Sequence, residues 1–193
     1  MELSLRQQEI IDISIGLIAD RGMQNLTMKN IAAAVGISEP AIYRHFRNKF
    51  DIIEAVLDAF SVMASDVLDR SEHADCSALE KIELFLLDRY QSCVAHPKMA
   101  RVMMSEENFR SDEVLAGRML KMMHQHKARI ENFIKAGIAN GEIRNDIDPT
   151  AMFRIIFGPM RMLIKQWGMS NYKFDLEAEG KALWEAEKKM ICN

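Results

Sequence analysis

Residues 27–46 read TMKNIAAAVGISEPAIYRHF, a stretch that fits two short helices joined by a tight corner. Thr27 is suited to cap the first helix, and Gly36 can adopt the left-handed conformation that such a corner requires. Ser38 is placed to cap the second helix, whose first turn tolerates Pro40 because an amide there has no intrahelical partner. The stretch therefore predicts a helix-turn-helix unit, a motif that places its second helix in the major groove of DNA.

The second helix of this unit directs polar and charged side chains outward. Ile42 and Phe46 are four residues apart and are predicted to face inward, which leaves Glu39, Ala41, Tyr43, Arg44 and His45 exposed. From residue 27 to residue 49, the basic residues Lys29, Arg44, Arg47 and Lys49 stand against Glu39 alone, although the whole chain has a net charge of −3. This local excess of cations favours contact with the phosphates of a nucleic acid.

The run from Thr27 to Lys49, with Tyr43-Arg44-His45-Phe46 at its centre, resembles the N-terminal domain of TetR/AcrR-type transcriptional regulators. The order of segments is also similar, since an amphipathic helix precedes the unit and a long helix follows it. Asn30 departs from the acidic residue often found there. The resemblance implies a ligand-responsive repressor that binds double-stranded DNA as a homodimer, at a palindromic operator, and responds to a small apolar effector.

The same resemblance implies roles for individual residues of the unit. Thr27, Tyr43, His45 and Lys49 would contact phosphates, which position the protein without reading sequence, and Lys29 would assist. Arg44 can bind guanine, Glu39 can accept from cytosine or serve only as a helix-dipole partner, and Pro40 or Ala41 can touch a thymine methyl. The predicted DNA-contacting set is Thr27, Lys29, Ser38, Glu39, Pro40, Ala41, Tyr43, Arg44, His45 and Lys49.

Composition narrows the class of protein. With 193 residues, 49% hydrophobic and 27% charged, the chain is typical of a globular protein, and no apolar run reaches the length of a membrane span. The three cysteines are widely spaced, so we expect reduced thiols, no metal site and no cofactor. No phosphate-binding glycine loop or nucleophile elbow is present, which argues against an enzyme. Without an apolar leader at Met1, a cytoplasmic location is expected.

Helical periodicity predicts an all-α fold of about nine helices. Few prolines and glycines interrupt the chain, and alternating β patterns are absent. Residues 1–50 are predicted to form a three-helix DNA-binding domain, and residues 51–193 a helical domain for effector binding and dimerisation. Helices are predicted at about 4–21, two within 27–46, then 51–69, 77–95, 99–104, 112–140, 149–167 and 176–191. Residues 105–108 are predicted to begin a polar loop before the helix at 112–140.

Methionine is enriched, with 15 residues in the chain, and it is concentrated in the helices predicted between residues 99 and 167. Methionine is an adaptable filler, which suits an ordinary core and a pocket for varied apolar ligands equally. His126 lies on an apolar helix face, where it is either a satisfied core residue or a polar anchor. The predicted pocket comprises Met103, Met119, Met122, His126, Met160 and Trp167, next to a helix that Pro159 should kink or open.

The helix at 149–167 is apolar over more than half of its circumference. Such a helix cannot be satisfied by one core, so we expect it to pack against a second subunit together with the helix at 176–191. The predicted interface comprises Phe153, Phe157, Ile164, Leu183 and Trp184. The alternative is a helical module that binds small molecules or partners without a transcriptional role, which would lack salt-dependent DNA binding.

Overall fold

The computed structural model describes residues 3–105, 107–110 and 112–192, and this part of the chain forms ten α-helices and one short 3-10 helix at Met23–Asn25, without a β-strand. The α-helices are α1 (Leu5–Arg21), α2 (Met28–Val35), α3 (Glu39–Ile42), α4 (Lys49–His73), α5 (Ala78–Ala95), α6 (Pro97–Met103), α7 (Glu107–Arg110), α8 (Glu113–Ala139), α9 (Pro149–Met169) and α10 (Leu176–Ile191). The all-α prediction is confirmed.

The additional helix, α7, lies in the segment that was predicted to be a polar loop. It is a single turn, and Phe109 within it is only 1% exposed because it packs into the hydrophobic core of the N-terminal helices. This buried aromatic side chain anchors the turn, and the Asn108 side chain adds a hydrogen bond to the carbonyl of Val102 at 3.3 Å. None of the described helices is long and apolar enough to cross a bilayer.

Two hydrophobic cores organise the chain. The first packs α1, α2, α3 and the start of α4 against α6, Phe109 and the first half of α8. The second contains the end of α4, α5, the second half of α8, α9 and α10. Since the first core runs across residue 50, the division into domains at that residue remains a prediction.

Polar contacts fix how the long helices lie against one another. Lys98 at the start of α6 pairs with Asp20 of α1 at 2.7 Å, and Arg118 of α8 pairs with Glu54 of α4 at 2.5 Å. Exposed pairs of this kind contribute about 0–1 kcal/mol each, so they set orientation more than stability.

Helices α5 and α10 approach closely at Gly180. A Cβ added there would lie 2.3 Å from Cε2 of Tyr90, whose ring is almost completely buried. The sequence requires glycine at this position because any side chain would separate the two helices.

Candidate functional site

Helices α2 and α3 form the predicted helix-turn-helix unit. The Thr27 hydroxyl accepts the amide of Asn30 at 3.1 Å and caps α2, and Gly36 ends the helix with φ at +79°. Ser38 occupies the N-cap position of α3, but its side chain makes no capping hydrogen bond. The prediction that Ser38 caps α3 is therefore wrong, because α3 is a single turn with few amides to satisfy, and the hydroxyl stays exposed.

The second helix of the unit is shorter than a full recognition helix but continues as hydrogen-bonded turns. The amides of His45 and Phe46 both bond the carbonyl of Ile42, at 2.8 and 3.0 Å. Ile42 and Phe46 are buried, as the spacing predicts, and Gln7 of α1 donates to the backbone carbonyl of His45 at 3.3 Å. Helix α1 therefore holds the end of this segment in place.

The structure leaves most of the predicted DNA-contacting side chains on the surface. Ala41 and His45 are half-buried, and the exposed members are Thr27, Lys29, Ser38, Glu39, Pro40, Tyr43, Arg44 and Lys49. Within the described residues, Lys29, Arg44 and Lys49 form no ion pair, whereas Arg47 pairs with Asp51 at 2.8 Å. That hydrogen bond from Arg47 lowers the pKa of the Asp51 carboxyl. The unpaired cations are thus the ones predicted to meet phosphates and bases.

A cavity of about 270 Å³ lies between α4, α5, α6, α8 and α9. Of the predicted pocket residues, Met103, Met119, Met122, His126 and Met160 line it. Trp167 does not: its indole N–H donates to the carbonyl of Phe174 at 3.1 Å, and it packs against Tyr172. Placing Trp167 in this pocket was wrong because it lies two turns beyond Met160, past the end of the cavity.

Arg89 of α5 is the main charged cavity residue that the sequence prediction missed. It lines the cavity, is only 5% exposed, and pairs with no carboxylate among the described residues. Its guanidinium carbon lies 5.3 Å from the ring centroid of Phe85 and 5.8 Å from that of Phe60, which are cation–π contacts. Burial lowers the pKa of Arg89 from its usual value. The sequence signal was its position four residues after Phe85, on the apolar face of α5.

Two other titratable groups of the cavity, His126 and Cys93, are neutral at physiological pH. Burial, followed by the positive charges of Arg89 and Arg129, lowers the pKa of His126 to about 4. Burial raises the pKa of the Cys93 thiol to about 11, so the thiol is unreactive. No described residue that lines the cavity is an Asp or a Glu, although Arg89, Lys127, Arg154 and Arg161 are basic. The cavity is therefore apolar and electropositive.

Three of the five residues of the predicted dimer interface are buried within the subunit. Ile164 and Trp184 are 2% and 0% exposed inside the second core, and Phe157 is buried against Phe85 with ring centroids 5.5 Å apart. Phe153 stacks on Phe157 and lines the cavity, and Leu183 is half-buried. The buried residues cannot meet a partner, because α9 is apolar on both sides and its larger side chains face its own subunit.

Comparisons with known proteins agree with this architecture. The family model "Bacterial regulatory proteins, tetR family" matches residues 10–56, and "YsiA-like protein, C-terminal region" matches residues 57–186. The chain is 24% identical to the fatty acid metabolism regulator protein of Bacillus subtilis (strain 168) over 183 residues, covering 93% of this chain and 92% of that protein.

Two solved structures show the same fold. The fatty acid degradation regulator FadR from Bacillus halodurans has a TM-score of 0.85 at 20% identity, covering 97% of each chain. FadR from Bacillus subtilis, solved in complex with stearoyl-CoA, has a TM-score of 0.78 at 24% identity, covering 93% of this chain and 96% of that one. With its helix-turn-helix unit, its second helical domain and a family match across both, this chain belongs to the tetR family of bacterial regulatory proteins and is a DNA-binding transcriptional regulator.

Proposed function

We propose that this regulator is a homodimeric repressor whose effector is an anionic amphiphile, with an acyl chain in the cavity and an acidic group against Arg89. The observation that carries the proposal is the buried guanidinium in an apolar cavity, which pairs with no carboxylate among the described residues. A buried charge without a partner is costly, and an anion that completes the pair removes that cost. A neutral apolar ligand would leave Arg89 unsatisfied.

The relatives support this class of effector. One is named a fatty acid metabolism regulator, and the Bacillus subtilis structure holds stearoyl-CoA, a molecule with a long acyl chain and phosphate groups. The anion that reaches Arg89 comes either from a fatty acid carboxylate or from the phosphates of a thioester conjugate. Both have the chemistry that a fork of guanidinium donors recognises.

Three methionines connect the cavity to the DNA-binding helices. Met103, Met119 and Met122 line the cavity and also belong to the first core, which holds α1, α2 and α3. An effector chain that fills the cavity repacks these side chains and thereby favours a different placement of the two DNA-binding units. Successive major grooves on one face of DNA are about 34–36 Å apart, so a changed spacing weakens operator binding.

The surface of α9 and α10 supports a dimer interface on these same two helices, but on a different face of each from the one predicted. The outward side of α9 carries Ile155, Met162 and Met169, of which the last two are 58% and 77% exposed, and Gly158 allows close approach between them. On α10, a row of alanines and an exposed methionine face outward: Ala178, Ala182, Ala186 and Met190. We assign the four-helix interface with the partner subunit to these two faces.

The exposed face of the helix-turn-helix unit supports the DNA roles expected from the family. The phosphate contacts expected from the family are Thr27, Tyr43, His45 and Lys49, with Lys29 assisting. To these we add the hydroxyl of Ser38, which makes no capping hydrogen bond. Arg44 reads guanine from the surface of α3, because it is exposed and engaged in no ion pair within the described chain. The protein acts in the cytoplasm, where operator DNA is located, and its role is regulatory rather than catalytic.

A titration of operator DNA tests the effector. A duplex is selected from a randomised pool with the protein itself, and its binding is followed by fluorescence anisotropy with dodecanoate, dodecanoyl-CoA or dodecan-1-ol. At least one anion should weaken binding by about 5- to 150-fold, and the alcohol should not. If only dodecanoyl-CoA acts, the phosphates supply the anion. An alcohol as effective as the anions would overturn the role of Arg89, and DNA binding without salt dependence would favour the alternative of a non-transcriptional module.

A further inference from the structure

A second pocket, separate from the effector cavity, lies between α6 and the end of α9. It has a volume of about 220 Å³, and Ala100 and Met104 form the wall that it shares with the cavity. Its distinctive lining consists of Arg101 from α6, Lys165 and Trp167 from α9, and Tyr172 from the turn that follows. Pro97, Ile164 and Met169 add apolar side chains, so this lining combines an apolar wall with two cations and two aromatic residues.

Two aromatic rings form one side of the pocket. The ring centroids of Trp167 and Tyr172 are 4.6 Å apart with an interplanar angle of 59°. The indole N–H is already bonded to the carbonyl of Phe174 at 3.1 Å, and Trp167 is only 5% exposed, so it offers a ligand the small part of its ring that lines the pocket. Rings of this kind bind planar groups by stacking or by edge contacts.

The backbone around Tyr172 is held in an uncommon conformation. Asn171 and Tyr172 have φ values of +54° and +63°, and a left-handed backbone is rare for an aromatic residue. The amide of Tyr172 bonds the carbonyl of Trp167 at 2.9 Å, which fixes the turn and keeps both rings at the pocket. Strain retained at a ligand-sized pocket is a pointer to a binding role.

The charged side chains at this pocket have no partner in the described part of the chain. Neither Arg101 nor Lys165 forms an ion pair or a side-chain hydrogen bond with any residue that the structure describes, whereas the nearby Lys98 pairs with Asp20 at 2.7 Å. The described lining contains no carboxylate. The last carbonyls of α9 are also occupied, since Gln166 and Gly168 accept the amide of Ser170. The two cations are free to bind an anion.

We propose that this pocket binds a small aromatic anion, with its ring against Trp167 and Tyr172 and its carboxylate between Arg101 and Lys165. The volume of the pocket suits such a ligand. A cavity of about 150 Å³ holds benzene, and this pocket, at about 220 Å³, has room for a bicyclic ring. Arg101 offers a planar fork to the carboxylate, and Lys165 adds a second charge from α9. This site does not depend on the effector proposed for the main cavity.

Calorimetric titration of the full-length protein with 2-naphthoate tests the proposal. We expect one site per chain, and Arg101→Gln or Lys165→Gln should each weaken binding by about tenfold or more, since a charge-assisted hydrogen bond is lost. The amide 2-naphthamide, which keeps the ring but lacks the charge, should bind weaker by a similar factor. Both substitutions are at exposed positions, so folding should be retained.

Two controls distinguish binding in this pocket from binding elsewhere on the protein. Lys173→Gln removes the same charge next to Tyr172 but outside the lining, and it should leave the affinity for naphthoate unchanged. Saturating dodecanoate should leave the stoichiometry at one naphthoate per chain. Loss of naphthoate binding in the presence of dodecanoate would place it in the main cavity and overturn the proposal. Equal binding of the amide, or no saturable binding, would also overturn it.

Discussion

Replacing Arg89 with methionine should have opposite effects on stability and on effector binding. The guanidinium is 5% exposed, contacts two aromatic faces and has no acidic partner in the described chain. Replacing buried ionic groups with apolar side chains of similar volume is neutral or stabilising by about 1–4 kcal/mol, so the free energy of unfolding without ligand should stay equal or rise. The lost hydrogen bond to an anion is worth about 1.5–3 kcal/mol. Affinity for an anionic effector should therefore fall by about 10- to 150-fold.

Urea unfolding and calorimetry measure the two effects on the same preparation. Dodecanoate or dodecanoyl-CoA serves as the ligand, whichever releases operator DNA from the parent protein. Arg144→Met provides the matched control, because Arg144 is paired with Asp146 at 2.6 Å and lies outside the cavity lining. A variant at Arg89 that binds the anion as tightly as the parent would refute the proposed role, and so would a large loss of stability without ligand.

Four further predictions concern the DNA face, the dimer interface, the α5–α10 contact and pH. Lys49→Ala should weaken binding to every duplex and reduce the slope of log affinity against log salt concentration by about one unit. Arg44→Ala should instead cost about 1–3 kcal/mol of binding free energy, mainly on the preferred site. Equal losses on random DNA would make Arg44 a phosphate contact. Met162→Glu should convert the dimer to monomer in sedimentation and remove operator binding with it, and a dimeric variant would place the interface elsewhere. Gly180→Ala should lower the free energy of unfolding in urea by about 1–3 kcal/mol, because its Cβ would lie 2.3 Å from a buried ring atom; an unchanged midpoint would show that α10 can shift. Burial raises the pKa of Glu187 from 4.5 to about 7, so the free energy of unfolding should fall as the pH rises across that interval. In Glu187→Gln this dependence on pH should be weaker. The same dependence in the variant as in the parent would assign the titration to another group.

Local sequence chemistry was sufficient to predict the DNA-binding unit. The cap at Thr27, the left-handed Gly36 and the inward pair Ile42 and Phe46 are decided within a few residues of chain, so they could be inferred without tertiary structure. Part of the α8 wall of the cavity was also predictable, because Met119, Met122 and His126 share one face of that helix. These positions depend on periodicity alone.

Positions that depend on how helices stack were predicted less well. Helix α9 is apolar around most of its circumference, so periodicity could not decide whether Phe157 or Met162 faces the subunit's own core. Packing against α5 resolves this, since Phe157 lies beside Phe85. Arg89 was missed for a related reason: an arginine in an amphipathic helix is ordinarily solvated, and only the arrangement of α4, α8 and α9 shows that this one is buried.

Met103, Met119 and Met122 line the cavity and also belong to the core that packs against the DNA-binding helices. This arrangement has a consequence for gene expression. Unbranched thioether chains repack through many small rotamer changes, so such a wall yields by degrees to ligands of different length. Coupling between two binding sites is typically about 1–3 kcal/mol. We therefore expect a graded response, in which transcript levels rise smoothly with the amount and chain length of the inducer. Basal transcription should be measurable without inducer, and release of the operator should be incomplete at saturating inducer.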